Sequence, residues 1–217
     1  MLDLQELHAF DAVAIQCHDN PDADTIAGAF ALGRYFELRG TPVMLFYGGA
    51  RPVSKPNLLL FIESLGIPLR FAGRDAVHID DVQGEGSRKL LVTVDCQHGA
   101  GNVQRVSGAA VCVVDHHIRE TGGADIEHIE PYLGSCSTVV WKLLSAAGFD
   151  FAAHPDVSTA LYYGLFTDTN SFAELFHPVD RDMLDALRFD ARLIRKLKGS
   201  NLSRDELLIA GKALHGA

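Results

Sequence analysis

The chain lacks several features by which membrane-bound, secreted and DNA-binding proteins are recognised. No uninterrupted apolar stretch in its 217 residues approaches the ~20 residues that a membrane-spanning helix needs. The first residues lack the basic and apolar regions of a signal peptide. Lysine and arginine number 19 against 28 aspartates and glutamates, whereas a surface for duplex DNA needs clustered basic side chains. We therefore expect a cytoplasmic protein without a membrane or duplex DNA partner.

Cysteines are few and are not paired in sequence. The four of them, Cys17, Cys96, Cys112 and Cys136, form no Cys-x-x-Cys motif, which is the spacing typical of zinc sites and redox-active thiols. Three lie within or at the ends of apolar runs. We expect all four to be reduced, buried and structural.

The chain does contain a series of apolar, β-branched runs that predict an α/β fold. Residues 90–94 and 111–114 are almost continuously apolar, as in strands buried on both faces of a parallel sheet. Residues 12–17, a helix from about residue 24 to residue 38, and residues 42–47 predict a right-handed β–α–β crossover. The expected architecture is a doubly wound, mainly parallel β-sheet with helices on both faces.

The C-terminal part of the sequence predicts helices. Residues 179–187 and 190–197 have helical patterns, and the Ser-Arg-Asp-Glu sequence at 203–206 is a capping box that predicts the start of a final helix. We expect an α/β domain over residues 1–188 and a helical tail over residues 189–217.

Polar residues with metal-ligand chemistry follow several apolar segments. The triplet Asp115-His116-His117 ends one run, Asp95 ends another, and Asp168 follows a third. In open α/β sheets the chemistry lies at this end of the strands. A single aspartate after an apolar run is usually a turn former, but that explanation is insufficient for the repeated arrangement.

The first predicted strand is followed by a similar group, His18, Asp22 and Asp24. Helix capping offers a simpler explanation for the carboxylates, with Asp24 as the N-cap and Asp22 favourably placed at the helix start. Capping does not require His18. Aspartates combined with a few imidazoles instead suit Mn²⁺ or Mg²⁺, and also Zn²⁺.

Two metal ions account for this many ligands better than one. Ions roughly 3.5–4 Å apart share a bridging carboxylate and together lower the pKa of a bound water, a geometry that suits attack on phosphorus. We therefore expect two divalent cations as cofactors, with Mn²⁺ favoured and Mg²⁺ or Zn²⁺ as alternatives.

The successive motifs resemble those of the DHH phosphoesterase superfamily and occur in the same order. They are His18-x-Asn20-Pro21-Asp22-x-Asp24, a strand-terminal Asp95, Asp115-His116-His117, Gly134-Ser135-x-Ser137-Thr138 and Asp168-Thr169. Together they cover essentially the whole chain as the superfamily's N-terminal catalytic domain. The superfamily includes RecJ-type exonucleases, oligoribonucleases, cyclic dinucleotide phosphodiesterases and family II inorganic pyrophosphatases.

The metal ligands that this resemblance implies fall into two groups that share one residue. Asp95 would bridge both ions. The first ion would also be held by His18 and Asp22, and the second by Asp24, His116 and Asp168.

The resemblance also implies roles toward the substrate. His117 would face the substrate phosphate and either stabilise the developing charge or protonate the leaving oxygen, while Asp115 would orient an imidazole. Ser135, Ser137 and Thr138, at a helix start, would help to bind an anionic group.

The function implied is metal-dependent hydrolysis of a phosphodiester in a short oligonucleotide or small nucleotide. An inorganic pyrophosphatase or phosphomonoesterase would use the same residues and is an alternative. A nucleotide-sensing or interaction module with little turnover is an alternative of a different class.

Two departures from the superfamily pattern bear on these expectations. Asn170 follows Asp168-Thr169, where similar sequences often have glycine. The superfamily's second, substrate-binding domain is not found before the chain ends at Ala217. We expect the helical tail to lead into such a domain, or a homodimer to complete the cleft.

Overall fold

The computed structural model describes residues 2–73, 82, 88–106, 110–120, 122–200, 208–209 and 211–213. The strands in this part of the chain are β1 (Ala12–Cys17), β2 (Val43–Gly48), β3 (Leu69–Gly73), β4 (Lys89–Val94), β5 (Ala110–Asp115) and β6 (Ile126–Ile129). They form a six-stranded, all-parallel sheet in the order β3-β2-β1-β4-β5-β6.

Six helices with defined bounds accompany the sheet within the described residues. They are α1 (Ala23–Glu37), α2 (Pro56–Leu65), α3 (Cys136–Ala146), α4 (Pro155–Asp168), α5 (Pro178–Ala186) and α6 (Ala191–Gly199), and a 3-10 helix over Leu4–Ala9 precedes β1. The parallel α/β architecture that the apolar runs predict is confirmed. Every residue of β1 is buried, as is every residue but the first in β4 and β5.

The strand order places a topological switch point between β1 and β4. From β1 the chain moves outward through β2 to β3, and it then returns to the other side of β1 and continues through β4, β5 and β6. Loops that leave two strands at such a point diverge and open a crevice at the carboxyl ends. Gln16 is paired with Thr93, so β1 and β4 end side by side and bring the residues after them together.

The helical layer is centred on α1, which is rich in alanine and glycine. All of its residues except Arg34 and Glu37 are buried, and it packs against both α3 and α4. Its small side chains permit a close approach to the sheet, since a Cβ on Gly28 would lie 2.8 Å from the Val94 Cγ1 atom. This packing determines where the first residues of α1 lie.

The two faces of the sheet are covered differently. The larger core cluster unites the buried side chains of the helices with one sheet face, which includes Val13 and Val92. On the other face Leu91 packs with Val82 and Val106, which come from connecting segments. Within the described residues, the predicted helical cover is therefore found on one face. The described parts of the β4–β5 and β5–β6 connections form turns and irregular structure instead.

The C-terminal helices are found close to their predicted positions. Leu193, Ile194 and Leu197 of α6 are buried in the main core cluster, so this segment packs onto the α/β domain, and the predicted division after residue 188 stays a prediction. The predicted capping box at 203–206 lies outside the described residues, whereas 208–209 and 211–213 are helical. None of the described helices is long and apolar enough to span a bilayer.

Candidate metal centre

The predicted ligands lie together at the carboxyl edge of the sheet, around the switch point. His18 follows β1, Asp95 follows β4 and His116 follows β5. Asp22 and Asp24, at the start of α1, approach from the helical layer, as does Asp168, the last residue of α4. In the described residues the candidate ligand atoms form three overlapping groups, and within each group the atoms all lie within 4.8 Å of one another. The groups are His18, Asp22 and Asp95; Asp24, His116 and Asp168; and Asp95, His116 and His117.

The first group joins β1, α1 and β4. The His18 Nε2 atom lies 3.8 Å from Asp22 Oδ2 and 3.7 Å from Asp95 Oδ2. Burial lowers the pKa of His18, but the two carboxylates outweigh this effect and raise the pKa above its usual value. A cation is therefore favoured between these three side chains.

The second group joins β5 to α4. The His116 Nε2 atom lies 3.2 Å from Asp168 Oδ2 and 3.3 Å from Asp95 Oδ1. Its Nδ1 atom lies 3.1 Å from the carbonyl oxygen of Leu133. That contact suits a protonated Nδ1, which leaves the Nε2 lone pair directed at the carboxylates, as metal-binding histidines are commonly arranged.

Asp95 links the two groups. It is 3% exposed, and its backbone has a φ of 60°, a left-handed conformation that aspartate tolerates better than most residues. Its N–H donates to the carbonyl oxygen of Val114 at 2.9 Å, which ties the residue to β5. Within the described residues its Oδ1 atom is buried and accepts no hydrogen bond, although His116 Nε2 lies 3.3 Å from it. A buried anionic oxygen in that position is costly unless a cation or donor satisfies it.

The charges of the cluster fit divalent cations. Burial lowers the pKa of His116, but Asp95, Asp24 and Asp168 raise it to about 10. Burial and the charge of Asp95 raise the pKa of Asp168 to about 6, although His116 opposes them. The cluster thus carries more negative charge than its surroundings can stabilise. Oxygen and imidazole ligands of this kind suit Mn²⁺, Mg²⁺ or Zn²⁺.

Asp24 is held from the opposite side by the start of α3. Its Oδ2 atom accepts from the Cys136 N–H at 2.7 Å and its Oδ1 atom from the Ser137 N–H at 2.9 Å. Burial and the charges of Asp95 and Asp168 raise the pKa of Asp24 well above its usual value. The positive end of the α3 dipole partly offsets that charge.

Helix capping accounts for the position of Asp22 but not for that of Asp24. The Asp22 Oδ1 atom accepts from the N–H groups of Asp24 and Thr25 at 2.9 and 3.2 Å, so Asp22 is the N-cap of α1. The alternative that made Asp24 the N-cap is wrong, because Asp24 lies within the first turn and points at α3. The Asp22 Oδ2 atom still faces His18, so capping and metal binding are compatible.

In the Asp115-His116-His117 triplet at the end of β5, a buried carboxylate orients an exposed histidine. The Asp115 Oδ1 atom accepts from the His116 and His117 N–H groups at 2.8 and 3.2 Å and lies 2.9 Å from His117 Nδ1. Burial raises the pKa of Asp115, but the hydrogen bonds from His117 and Gln97 lower it below its usual value. The His117 side chain is 59% exposed, so its Nε2 edge is accessible from the crevice.

Comparison with protein families agrees with this geometry. The family model named "DHH family, N-terminal domain" matches residues 12–165, which is most of the chain and includes each candidate ligand except Asp168. The chain belongs to the DHH family.

Two of the curated proteins that are similar to this DHH chain match most of its length. The "Uncharacterized protein MG371 homolog" of Mycoplasma pneumoniae is 23% identical over 168 residues, which are 77% of this chain and 48% of that protein. The "Uncharacterized protein MJ1633" of Methanocaldococcus jannaschii is 23% identical over 202 residues, which are 92% of this chain and 40% of that protein. The chain spans less than half the length of these relatives.

A solved structure shares the fold. An exopolyphosphatase-related protein from Bacteroides fragilis superimposes with a TM-score of 0.73 and 18% identity over 98% of this chain and 63% of that chain. At this level of identity the likeness shows the fold alone.

The predicted substrate-binding hydroxyls of the DHH chain are all buried. The Ser135 Oγ atom accepts from the Thr138 N–H at 3.1 Å and thereby caps α3. The Ser137 side chain is buried, and the Ser137 backbone N–H donates to Asp24. In the structure these side chains support the helix start that holds Asp24, and their contact with substrate stays a prediction.

Gln97 is a residue of the site that sequence analysis did not single out. Its Nε2 atom donates to Asp115 Oδ2 at 2.9 Å and to the Ile118 carbonyl oxygen at 3.0 Å, while its Oε1 atom accepts from the Glu120 N–H at 2.8 Å. It therefore fastens the segment after the triplet to the end of β4. The feature of the sequence that could have indicated this role is the position of Gln97, two residues after Asp95.

Gly164 leaves room for this arrangement. A Cβ at this position would collide with Ser137 Oγ and would lie 2.9 Å from Asp24 Oδ1 and 3.2 Å from Ala27 Cβ. We expect Gly164→Ala to lower the free energy of unfolding by about 1–3 kcal/mol, the usual cost of overpacking. Urea denaturation would measure this. Gly199→Ala is the matched control, since a Cβ there meets nothing within 4 Å, and equal stability of the two variants would contradict the prediction.

Proposed function

We propose that the chain is a metal-dependent phosphoester hydrolase that cleaves a phosphodiester of a small nucleotide or short oligonucleotide. The observation that carries the proposal is the convergence of four carboxylates and two imidazoles on one crevice, with Asp95 facing both His18 and His116. Membership of the DHH family supports phosphoester hydrolysis. Mn²⁺ is the metal we propose, because hard oxygen ligands predominate and imidazoles complete the set.

The metal ions and the side chains would have different roles in the reaction. When bound, two divalent cations would make water a stronger nucleophile near neutral pH and offset charge on the transferring phosphoryl group. His18 and Asp22 would hold the first ion. Asp24, His116 and Asp168 would hold the second ion, and Asp95 would contribute to both.

His117 would supply a proton to the leaving oxygen. The hydrogen bond that His117 Nδ1 donates to Asp115 raises the pKa of His117 above its usual value, which favours the protonated form that a general acid needs. The same hydrogen bond occupies Nδ1 and orients the ring, so that Nε2 is free to face the substrate. Asp115 would thus act as a positioning residue.

Hydrolysis of a phosphoanhydride is the second candidate. Its support is the fold shared with an exopolyphosphatase-related protein. Pyrophosphate or a short polyphosphate would bind the same ions and present a leaving phosphate oxygen to His117.

The test is a substrate panel assayed with Mn²⁺ and with excess chelator. The panel would contain a linear dinucleotide, a cyclic dinucleotide, adenosine 3′,5′-bisphosphate, pyrophosphate and tripolyphosphate, with products separated by chromatography. Metal-dependent cleavage of the linear or cyclic dinucleotide supports the leading proposal, and cleavage of pyrophosphate or tripolyphosphate alone supports the second. Release of phosphate from adenosine 3′,5′-bisphosphate alone would contradict both and would indicate a phosphomonoesterase. Mn²⁺ binding without any turnover would contradict both and would favour a nucleotide-sensing module.

A further inference from the structure

A cavity of about 540 Å³ opens beside the metal centre, at the carboxyl ends of β1 and β2. His18, a member of the first ligand group, forms part of its wall. Asn102 also lies in this wall, and it borders the smaller recess that contains Asp95 and His117. The cavity therefore adjoins the site at which the substrate phosphate would be held.

Backbone contacts hold the wall of the cavity in place. The Asp19 N–H donates to the Asn102 carbonyl oxygen at 2.8 Å, and the Gln104 N–H donates to Asp19 Oδ1 at 3.3 Å. These bonds tie residues 102–104 to the end of β1. Gly49 permits the close approach, because its φ is +104° and a Cβ there would collide with the Asp19 carbonyl oxygen. The side chains of the wall are thus presented on an ordered frame.

The chemistry of the wall does not suit a second phosphate. The polar side chains of its described residues, apart from His18, are the carboxamides of Asn20, Asn102 and Gln104 and the carboxylate of Asp19, with neither lysine nor arginine among them. Phosphate sites are typically built from arginine, lysine or convergent N–H groups. Carboxamides both donate and accept hydrogen bonds, which matches the edge of a nucleobase or the hydroxyls of a sugar. The volume is within the usual range for small-molecule sites, roughly 300–1,000 Å³.

We propose that this cavity binds the neutral nucleoside part of the substrate, adjacent to the phosphate at the metal centre. The inference rests on the proposed function and favours its nucleotide substrates over the phosphoanhydrides of the second candidate. A linear polyphosphate would instead place a further anion against Asp19.

The test measures affinity along a series of ligands that grows from the phosphate outward. The Mn²⁺-loaded protein would be titrated calorimetrically with inorganic phosphate, ribose 5-phosphate and adenosine 5′-monophosphate. We expect adenosine 5′-monophosphate to bind about tenfold or more tightly than phosphate, because each added hydrogen bond contributes roughly three- to tenfold. A gain at the ribose step or at the base step would show which part of the nucleoside the wall contacts.

Two variants and a matched control locate the effect. Asn102→Ala removes one carboxamide while keeping its backbone carbonyl, and Ala50→Trp fills the cavity from an exposed position in its wall. Both should reduce the affinity for adenosine 5′-monophosphate toward that for phosphate and leave phosphate affinity unchanged. Ala152→Trp, at an exposed turn before α4, should change neither.

The proposal would be overturned by equal wild-type affinities for phosphate and adenosine 5′-monophosphate, by no measurable binding of the nucleotide, or by unchanged nucleotide affinity in both cavity variants. Unchanged phosphate and Mn²⁺ binding would show that the variants are folded. These measurements need no turnover. A protein that binds the nucleotide through the cavity but cleaves no member of the panel would therefore contradict the proposed function and support the nucleoside site.

Discussion

Asp95→Asn is expected to abolish Mn²⁺ binding at both positions and to lower kcat/KM by about 10³-fold or more. The estimate follows because metal ions stabilise the transition state by several kcal/mol, and each 1.4 kcal/mol or so is tenfold in rate. Asp95 faces His18 at 3.7 Å and His116 at 3.3 Å, so its charge serves both ligand groups. Asparagine keeps the size of the side chain and tolerates the φ of 60°, whereas alanine would add backbone strain.

Metal binding to this variant would be measured by calorimetric titration with Mn²⁺ and by thermal melting. At about 100 times its dissociation constant, a bound ion stabilises the native state by roughly 2.7 kcal/mol, a gain that Asp95→Asn should lose. Asp22→Asn should weaken the first ion more than the second, because Asp22 belongs to the first group only. Asp185→Asn, an exposed change in α5, is the control. Wild-type Mn²⁺ stoichiometry in Asp95→Asn would contradict the bridging role.

His117→Ala is expected to retain both metal ions and to lower kcat by about 10²–10⁴-fold, the usual contribution of a general acid. The His117 side chain is 59% exposed, so its removal leaves no buried cavity and should not impair folding. Its Nδ1 atom is engaged by Asp115 at 2.9 Å, which favours a role toward the substrate over a role as a ligand.

The decisive comparison for His117 is between turnover and metal affinity in the same variant. Asp115→Asn should lower kcat by a smaller factor and move the alkaline fall in activity to lower pH. Asp115 raises the pKa of His117, so without its charge His117 loses the proton it must donate at a lower pH. His8→Ala, an exposed histidine on the 3-10 helix before β1, serves as the control. A marked loss of Mn²⁺ affinity in His117→Ala would show that the residue is a metal ligand, since it also lies within ligand distance of Asp95 and His116.

The candidate ligands could be identified from the sequence because each one lies at or next to an end of a regular element. Asp95 and Asp115 end apolar strands, and parallel strands that are neighbours in a sheet must bring their carboxyl ends to the same edge. Asp24 shows the limit of this reasoning. Capping rules placed a carboxylate at the start of α1, but they did not distinguish Asp22, which caps that helix, from Asp24, which binds the start of α3.

The cavity beside the metal centre could not be predicted in this way. Its wall joins the ends of β1 and β2 to residues 101–104, and the hydrogen bond between Asp19 and Asn102 spans more than 80 residues of the chain. Local patterns carry no information about such contacts. The same holds for Gln97, whose role depends on the approach of Asp115 and Ile118.

The sequence by itself determined the parallel α/β fold and indicated the candidate ligand side chains, because hydrophobic periodicity and strand-end position are local properties. Tertiary structure alone decided that Asp95 faces both ligand groups, that α3 supports Asp24, and that an amide-lined cavity adjoins His18. These features arise where separate loops meet at the switch point. Their geometry depends on how α1, α3 and α4 pack through residues as small as Gly28 and Gly164, and only the packed molecule specifies that.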